Sequence, residues 1–476
     1  MSNRISAGSR KLSFPAALAV LSLLSGCVET AGPEVAMKSV EGQASGSTAV
    51  IDAALTGTWE GELVVGAQKL AMGVTVTADS IAIDVPAQNL KDFKASAVRV
   101  ENGAVIADFS FKASLEMKAA EDGAADGVWA QSGKRFSLPL TRVRTAAAGT
   151  PGSSGVAAKP GELVRFASAR SDVELAGTLR LPEGRGPFPC LVLITGSGPQ
   201  DRDETIFAVK PFRDIAEALA ARGWATLRYD DRGTGQSGGS FAGSTSADFA
   251  EDAVGAYRFA AADPRIDPRR VALGGHSEGG YVAALAENAI GSVYGLVLIA
   301  SPGVPGYDIL MDQSADLLSA MGASAAAVAS AAAANKRVYD LILDSPRFPS
   351  AEVESELRKA GLPADQSAAQ LAALSDPWFK SFLASDPSAA LRAARSPVLA
   401  INGGKDLQVR ADRNLGAIEA AALSAGMPVT ALKLDGLNHL FQKAGSGLPQ
   451  EYASLDPAFS PDAIGAIADW LDRLPR

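Results

Sequence analysis

Between Val271 and Asn288 an apolar strand passes without a loop into an alanine-rich helix, and the joint is a serine set among glycines. The joint reads Val271-Ala272-Leu273-Gly274-Gly275-His276-Ser277-Glu278-Gly279-Gly280. A strand that turns directly into a helix commits the chain to layered α/β packing, with the helix laid back across one face of a sheet. The residues beside the turn must be small, because Ser277 takes a strained backbone position where neighbouring side chains would clash. Gly275-His276-Ser277-Glu278-Gly279 meets that demand. The five-residue pattern alone says little in a chain with 47 glycines; the strand before it and the helix after it give it meaning. Such a turn lifts the Ser277 hydroxyl above the sheet edge and aims the backbone N–H of Glu278 at a developing oxyanion.

The surrounding sequence keeps the alternation. Apolar runs at 175–181, 190–195, 224–229, 271–274 and 293–300 predict strands, with helices at 211–222, 246–262 and 279–288. That order predicts βαβ units and a mainly parallel sheet covered on both faces. From 303 to 395 the alternation stops: the stretch is Ala-rich and helical in period, and the sheet resumes at 397–401. A helical insertion at this point is expected as a cap, because ligands of open α/β sheets bind outside the carboxyl ends of the strands. Residues 162–476 are thus expected to form one α/β domain with a helical cap at 303–395.

Residues 55–144 follow a shorter period. Alternating apolar runs at 63–65, 73–77, 81–85, 98–100, 105–111 and 136–140 are broken by turn residues such as Asn102-Gly103 and Asp122-Gly123. They predict antiparallel strands in a small β-rich domain, a barrel being one way to close it. Trp59 and Trp129 are expected in its packing, and no catalytic constellation is visible there. Residues 145–161 (TAAAGTPGSSGVAAKPG) predict a flexible linker. At the start, Arg4, Arg10 and Lys11 precede an apolar run at 14–24 and then Ser25-Gly26-Cys27. These describe an export signal over residues 1–26, too short to span a bilayer, which takes about 20 apolar residues. Residues 27–54 read as a tether.

Only two histidines occur among the 476 residues, and that scarcity bounds the chemistry. A serine hydroxyl is a poor nucleophile until a base takes its proton. His276 adjoins Ser277, so its ring is expected to project away from the hydroxyl and pack beside the sheet. His439 remains as the base, on Asp435-Gly436-Leu437-Asn438-His439-Leu440 just after the apolar run 429–434. A carboxylate must hold its ring in one tautomer. Asp406, on the glycine turn Asn402-Gly403-Gly404-Lys405-Asp406, is preferred to Asp412, expected inside the next helix, and to Asp435, expected to shape the loop before His439. A second oxyanion donor is expected on the loop Thr195-Gly196-Ser197-Gly198-Pro199, from the N–H of Ser197 or of Gly198. That loop lacks the spacing and lysine of a phosphate-binding G-x-x-x-x-G-K-[ST].

Composition removes other classes. Two histidines and two cysteines make a multi-ligand zinc site improbable. A net charge of -9 argues against nucleic acid as a partner, because phosphate binding needs clustered Lys and Arg.

Two resemblances add to this reading. Leu24-Ser25-Gly26-Cys27 resembles a bacterial lipoprotein signal, which implies a lipidated Cys27 as mature N-terminus, export, and anchorage to the cell envelope. Val28 stands where an Asp would resemble an inner-membrane retention signal, so in a Gram-negative host the outer membrane, facing the periplasm, is implied. Cys190 would then be the one free thiol, with no intramolecular disulfide. Residues 163–475 resemble the α/β-hydrolase superfamily, in its exported esterase/S9-peptidase-like group, and the β-rich segment resembles the module ahead of some secreted members. The carrying motifs are Gly196-Ser197-Gly198-Pro199-Gln200-Asp201-Arg202-Asp203-Glu204, Asp230-Asp231-Arg232-Gly233-Thr234-Gly235-Gln236-Ser237, the elbow at Ser277, the turn at Asp406 and the late His439. The resemblance implies acyl transfer by Ser277, His439 and Asp406 on small acyl esters, with no metal or organic cofactor required. It also implies that Asp201-Arg202-Asp203 orders the oxyanion loop, unless those charges are merely solvated. A serine peptidase with the same triad is the nearest alternative, although a ~90-residue β-rich domain is too small for a propeller built of repeats of about 40–50 residues. An inactive envelope-binding lipoprotein is the alternative of another class. Oligomeric state is not legible.

Overall fold

The computed structural model describes residues 51–142 and 161–475, apart from 52–54, 171, 207–208, 363 and short loop stretches between the N-terminal strands. The expected signal, Cys27, most of the tether and the linker fall outside the described residues. The chain divides into two compact units, comprising 51–142 and 161–475 among those residues.

The N-terminal unit is one antiparallel sheet of nine strands, in the order β4-β3-β2-β1-β9-β8-β7-β6-β5. Its strands are β1 Gly57–Val65, β2 Gln68–Val76, β3 Ile81–Val85, β4 Leu90–Lys94, β5 Ala97–Glu101, β6 Ala104–Phe109, β7 Ala113–Ala119, β8 Ala124–Gln131 and β9 Lys134–Arg142. Sequential neighbours pair except β4 and β5, which end the order on opposite sides, and β1 also pairs with β9. Period-2 burial is clear in β7, where Ala113, Leu115 and Met117 face the core and the residues between them do not. Trp59 lies in that core with its indole N–H donating to Leu55 O at 2.8 Å and Arg142 over its ring. Trp129 packs on Phe109. Both tryptophans serve packing.

The second unit is built on an eight-stranded sheet, β10-β11-β13-β12-β14-β15-β16-β17. These are β10 Glu162–Ala167, β11 Glu174–Arg180, β12 Phe188–Ile194, β13 Ala225–Tyr229, β14 Ile266–His276, β15 Leu296–Ile299, β16 Val398–Gly403 and β17 Val429–Leu434. The pairings of β10 with β11 and of β11 with β13 are antiparallel, and β12 through β17 run parallel to one another. Every residue of β15 and β16 is buried, as a strand covered on both faces requires.

Helices α1 Pro211–Ala221, α2 Ser246–Ala262 and α3 Glu278–Ile290 connect the early strands. Between β15 and β16 six helices follow one another: α4 Gly306–Ala320, α5 Ala325–Asp344, α6 Ser350–Lys359, α7 Ala364–Ser375, α8 Pro377–Leu383 and α9 Pro387–Ala393. Helices α10 Ala411–Ser424 and α11 Pro461–Arg473 complete the unit. One face of the sheet is covered by α2, α3, α9 and α10, the other by α1 and α11. The helices from α4 to α8 enclose a core of their own around Tyr339, Val353, Leu357 and Phe379. Ion pairs of Arg410 with Asp312 and Asp316, and of Arg413 with Asp308 and Asp312, bind α4 to the start of α10.

Strand order reverses around β12, so the loops after β12 and β14 open on the same crevice, where open α/β sheets bind ligands. The elbow helix can lie there only because its first turn is glycine. A Cβ on Gly279 would sit 2.2 Å from Ile194 O and 2.4 Å from Thr195 O, and one on Gly275 would meet Gly279 O at 2.0 Å. Backbone cannot yield as a flexible side chain does. Gly279→Ala is therefore expected to cost at least the ~1–3 kcal/mol typical of overpacking, read as a clearly lowered Tm; an unchanged Tm would contradict this packing.

Candidate active site

Ser277 closes β14 and opens α3 with φ 51° and ψ −125°. A non-glycine residue in such a conformation costs roughly 1–3 kcal/mol and persists only where its surroundings over-determine it. They do here: Ser277 N–H donates to Ile299 O at 2.8 Å, and Ser277 O accepts from Gly280 N–H at 3.1 Å. The half-buried hydroxyl therefore stands at the sheet's carboxyl edge, at the N-terminus of α3. As first residue of that helix, Glu278 has an N–H with no intrahelical partner.

Asp406 lies in the turn after β16 and is held by its own backbone. Its Oδ1 accepts N–H bonds from Gln408 at 2.8 Å and Val409 at 2.9 Å, while Oδ2 faces His439 Nδ1 at 2.8 Å. An ionised carboxylate only accepts, so Nδ1 carries the proton and Nε2 is left as the basic nitrogen. Both side chains are buried. The acid turn and the base loop are joined directly, Lys405 N–H donating to Leu437 O at 2.8 Å. Asn438 fixes the base loop, its Oδ1 accepting from Leu440 N–H and Gln442 N–H. The competing acids lie elsewhere: Asp412 is 84% exposed and paired with Lys433, and Asp435 is exposed. Ser277 Oγ makes no hydrogen bond to the imidazole in this structure; such bonds commonly tighten only around substrate.

The loop after β12 lies close against Ser277. A Cβ on Gly196 would lie 3.2 Å from Ser277 Cβ and 3.3 Å from His276 O. Gly196 N–H is taken by Glu204 Oε1 at 2.7 Å, which leaves the amides of Ser197 and Gly198 as the loop's unengaged donors. Charged residues brace the loop from behind. Asp231 accepts from Thr195 Oγ1 at 2.6 Å and Gln200 N–H at 2.9 Å, and burial pushes its carboxyl well above the usual range. Arg202 forms a two-point pair with Asp230 and reaches Gly177 O; Asp203 pairs with Arg228. Asp201 Oδ1 accepts from Asp203 N–H and Thr205 N–H. The Asp-Arg-Asp run is thus bonded into the loop's support rather than solvated.

Three side chains beyond the expected ones touch this machinery. His276 does turn away from Ser277 Oγ, yet it is more than packing: Nδ1 meets Glu204 Oε1 at 2.9 Å and Nε2 meets His439 O at 3.0 Å. Glu204 is fully buried at φ 52°. The side chain of Glu278 is buried and accepts from Ser246 Oγ at 2.6 Å and Trp378 Nε1 at 2.9 Å, tying α8 to the residue after Ser277. No local pattern marks these partners, which come from 72 and 100 residues away. Among the described residues no group of three or more His, Cys, Asp or Glu could hold a metal ion.

Burial raises the Glu278 carboxyl above its ordinary range, against two hydrogen bonds that favour the charged form. A carboxyl raised on folding stabilises fully below its unfolded pKa of about 4.3 and loses that contribution as pH climbs through the folded value. Glu278→Gln does not titrate. Calorimetry should show the Tm of the parent falling relative to Glu278→Gln as pH rises above about 4; a difference that is constant, or rises, contradicts the burial argument.

Known proteins share parts of this chain. A family model described as serine aminopeptidase, S33, matches residues 208–421. Esterase EstD of Thermotoga maritima is 31% identical over 300 residues, 62% of this chain and 65% of that protein; the match thus spans less than two thirds of the relative. Among solved structures, a Pyrococcus furiosus esterase aligns over 66% of this chain and 91% of its own at 14% identity and a TM-score of 0.41. The acylaminoacyl peptidase of Pyrococcus horikoshii aligns over 88% of this chain and 66% of its own at 13% identity and a TM-score of 0.43. The chain is therefore similar in sequence both to a serine aminopeptidase family and to an esterase.

Proposed function

We propose that the protein is a serine hydrolase that cleaves small carboxylic esters through an acyl-enzyme. The observation that carries this reading is the 2.8 Å bond from His439 Nδ1 to Asp406 Oδ2, beside a serine held at a strained strand–helix turn. Ser277 Oγ attacks the ester carbonyl as His439 Nε2 takes its proton. Asp406 keeps the ring in that tautomer and offsets the charge of the imidazolium. The oxyanion is received by Glu278 N–H and by the N–H of Ser197 or Gly198; one such donor contributes about 2.7–4 kcal/mol. His439 then protonates the departing alkoxide, and water deacylates Ser277 by the reverse sequence. The residues named suffice for this chemistry without a cofactor. Sequence similarity to an esterase supports the ester preference.

A peptidase is the second reading, favoured by the aminopeptidase family match over 208–421. Matched p-nitrophenyl esters and aminoacyl p-nitroanilides separate the two. The ester reading expects ester turnover to dominate, to vanish in Ser277→Ala, and to fall about 10³–10⁴-fold in Asp406→Asn, which favours the wrong tautomer. Dominant anilide cleavage would replace it with the peptidase reading. Ester turnover surviving Ser277→Ala would remove the nucleophile.

The lipoprotein-like start supports a further part of the proposal, that the enzyme is exported and anchored to the cell envelope through an acylated Cys27, in a Gram-negative host at the outer membrane. Labelled palmitate should enter the parent chain and not Cys27→Ser in a bacterial host; equal labelling of the two would exclude this anchor.

A further inference from the structure

His276 and Glu204 join the two halves of the site. Nε2 of His276 lies 3.0 Å from the backbone carbonyl of His439, and a carbonyl only accepts, so Nε2 carries a proton. Nδ1 lies 2.9 Å from Glu204 Oε1, an oxygen that already accepts the N–H of Gly196 at 2.7 Å. A neutral imidazole there would oppose a lone pair to a carboxylate oxygen. The contact therefore requires one more proton, carried on Nδ1 or on the carboxyl, and either placement leaves the pair neutral overall. His276 and Glu204 are 3% and 0% exposed, so bulk water does not screen the contact. The two histidine rings pack with centroids 4.7 Å apart.

The pair is placed to act on three groups together. Through Glu204 it holds Gly196, the residue before Ser197 and Gly198. Through Nε2 it holds the main chain of His439. Its backbone adjoins Ser277. We propose that Glu204 and His276 form a positioning pair whose shared proton sets the oxyanion loop and the base loop against Ser277, and that losing this proton at alkaline pH releases both. This rests on the Ser277–His439–Asp406 reading. The ionisable groups around His276 are Glu204 from the oxyanion loop, His439 from the base loop and Asp406 from the acid turn, with Asp231 behind Glu204. Burial disfavours the imidazolium, but Glu204, the His439 carbonyl and Asp406 together outweigh it and hold the His276 imidazole above the ordinary histidine range.

The test is p-nitrophenyl butyrate turnover across the pH range for the parent, Glu204→Gln and Ser277→Ala. Rates of the parent and of Glu204→Gln are expressed per serine titrated with an irreversible phosphonate, so misfolded molecules do not count, and those of Ser277→Ala per mole of protein shown to be folded by its Tm. In Glu204→Gln the side-chain amide oxygen can still accept from Gly196, but the charge that retains the proton is gone. Glu204→Gln is expected to move the alkaline limb of kcat down by about one pH unit or more. It is also expected to lower kcat at neutral pH about tenfold or more with little change in KM, as a displaced oxyanion donor would. Unchanged kcat and limbs in Glu204→Gln, or a change confined to KM, would overturn the positioning pair while inactivity of Ser277→Ala leaves the triad standing. Activity in Ser277→Ala would instead overturn the triad and, with it, the pair.

Discussion

Everything at the sheet's carboxyl edge depends on how closely two backbones approach. Helix α3 starts against the end of β12 at separations that no side chain could tolerate on Gly279. That approach accompanies a positive φ at Ser277 and brings the loop after β12 so near that a Cβ on Gly196 would lie 3.2 Å from Ser277 Cβ. The strain is offset by ladder bonds to β15 on one side and by the first helical turn on the other. For the proposed reaction, backbone placement of this kind meets part of the entropic cost on folding.

Around this contact the protein buries an unusual amount of charge. Glu204, Asp230, Asp231, Asp252, Glu278 and Asp406 are all buried within or beside the site, most with a cation or several N–H donors attached. Buried pairs of this kind contribute little net stability against well-packed apolar residues, and their value lies in fixing geometry. Two carboxyls are raised by burial, Asp231 and Glu278; the first is bonded to the loop that holds Ser197 and Gly198, and the second belongs to the residue after Ser277. Helix α8 enters the same network through Trp378, so the inserted helices are coupled to the elbow by a hydrogen bond as well as by packing.

Much of the fold was legible locally. Helix α2 begins and ends where its pattern predicts, because Thr245 and Asp248 form a reciprocal cap at one end. The parallel strands β12, β15 and β16 stand out as continuous apolar runs because both faces are covered. Strand β10 was invisible: it lies at an edge with one buried residue, Phe166, and Leu163 71% exposed. Strand β14 begins earlier than its apolar run because Asp267, Arg269 and Arg270 occupy its less buried first half. In the site, Ser277, Asp406 and His439 could be nominated because each sits at a strand end with a local turn signal and only two histidines exist. The roles of Glu204, His276 and Trp378 could not, since each depends on a partner brought near by the tertiary fold.

The central claim is that Ser277 alone is activated for acyl transfer. It is tested most directly by reacting the protein with a fluorophosphonate and locating the adduct by peptide mass spectrometry. The account predicts one adduct per chain, on the peptide that carries Ser277, forming in step with loss of ester turnover. An adduct on another serine, or full loss of turnover with Ser277 unmodified, would contradict it.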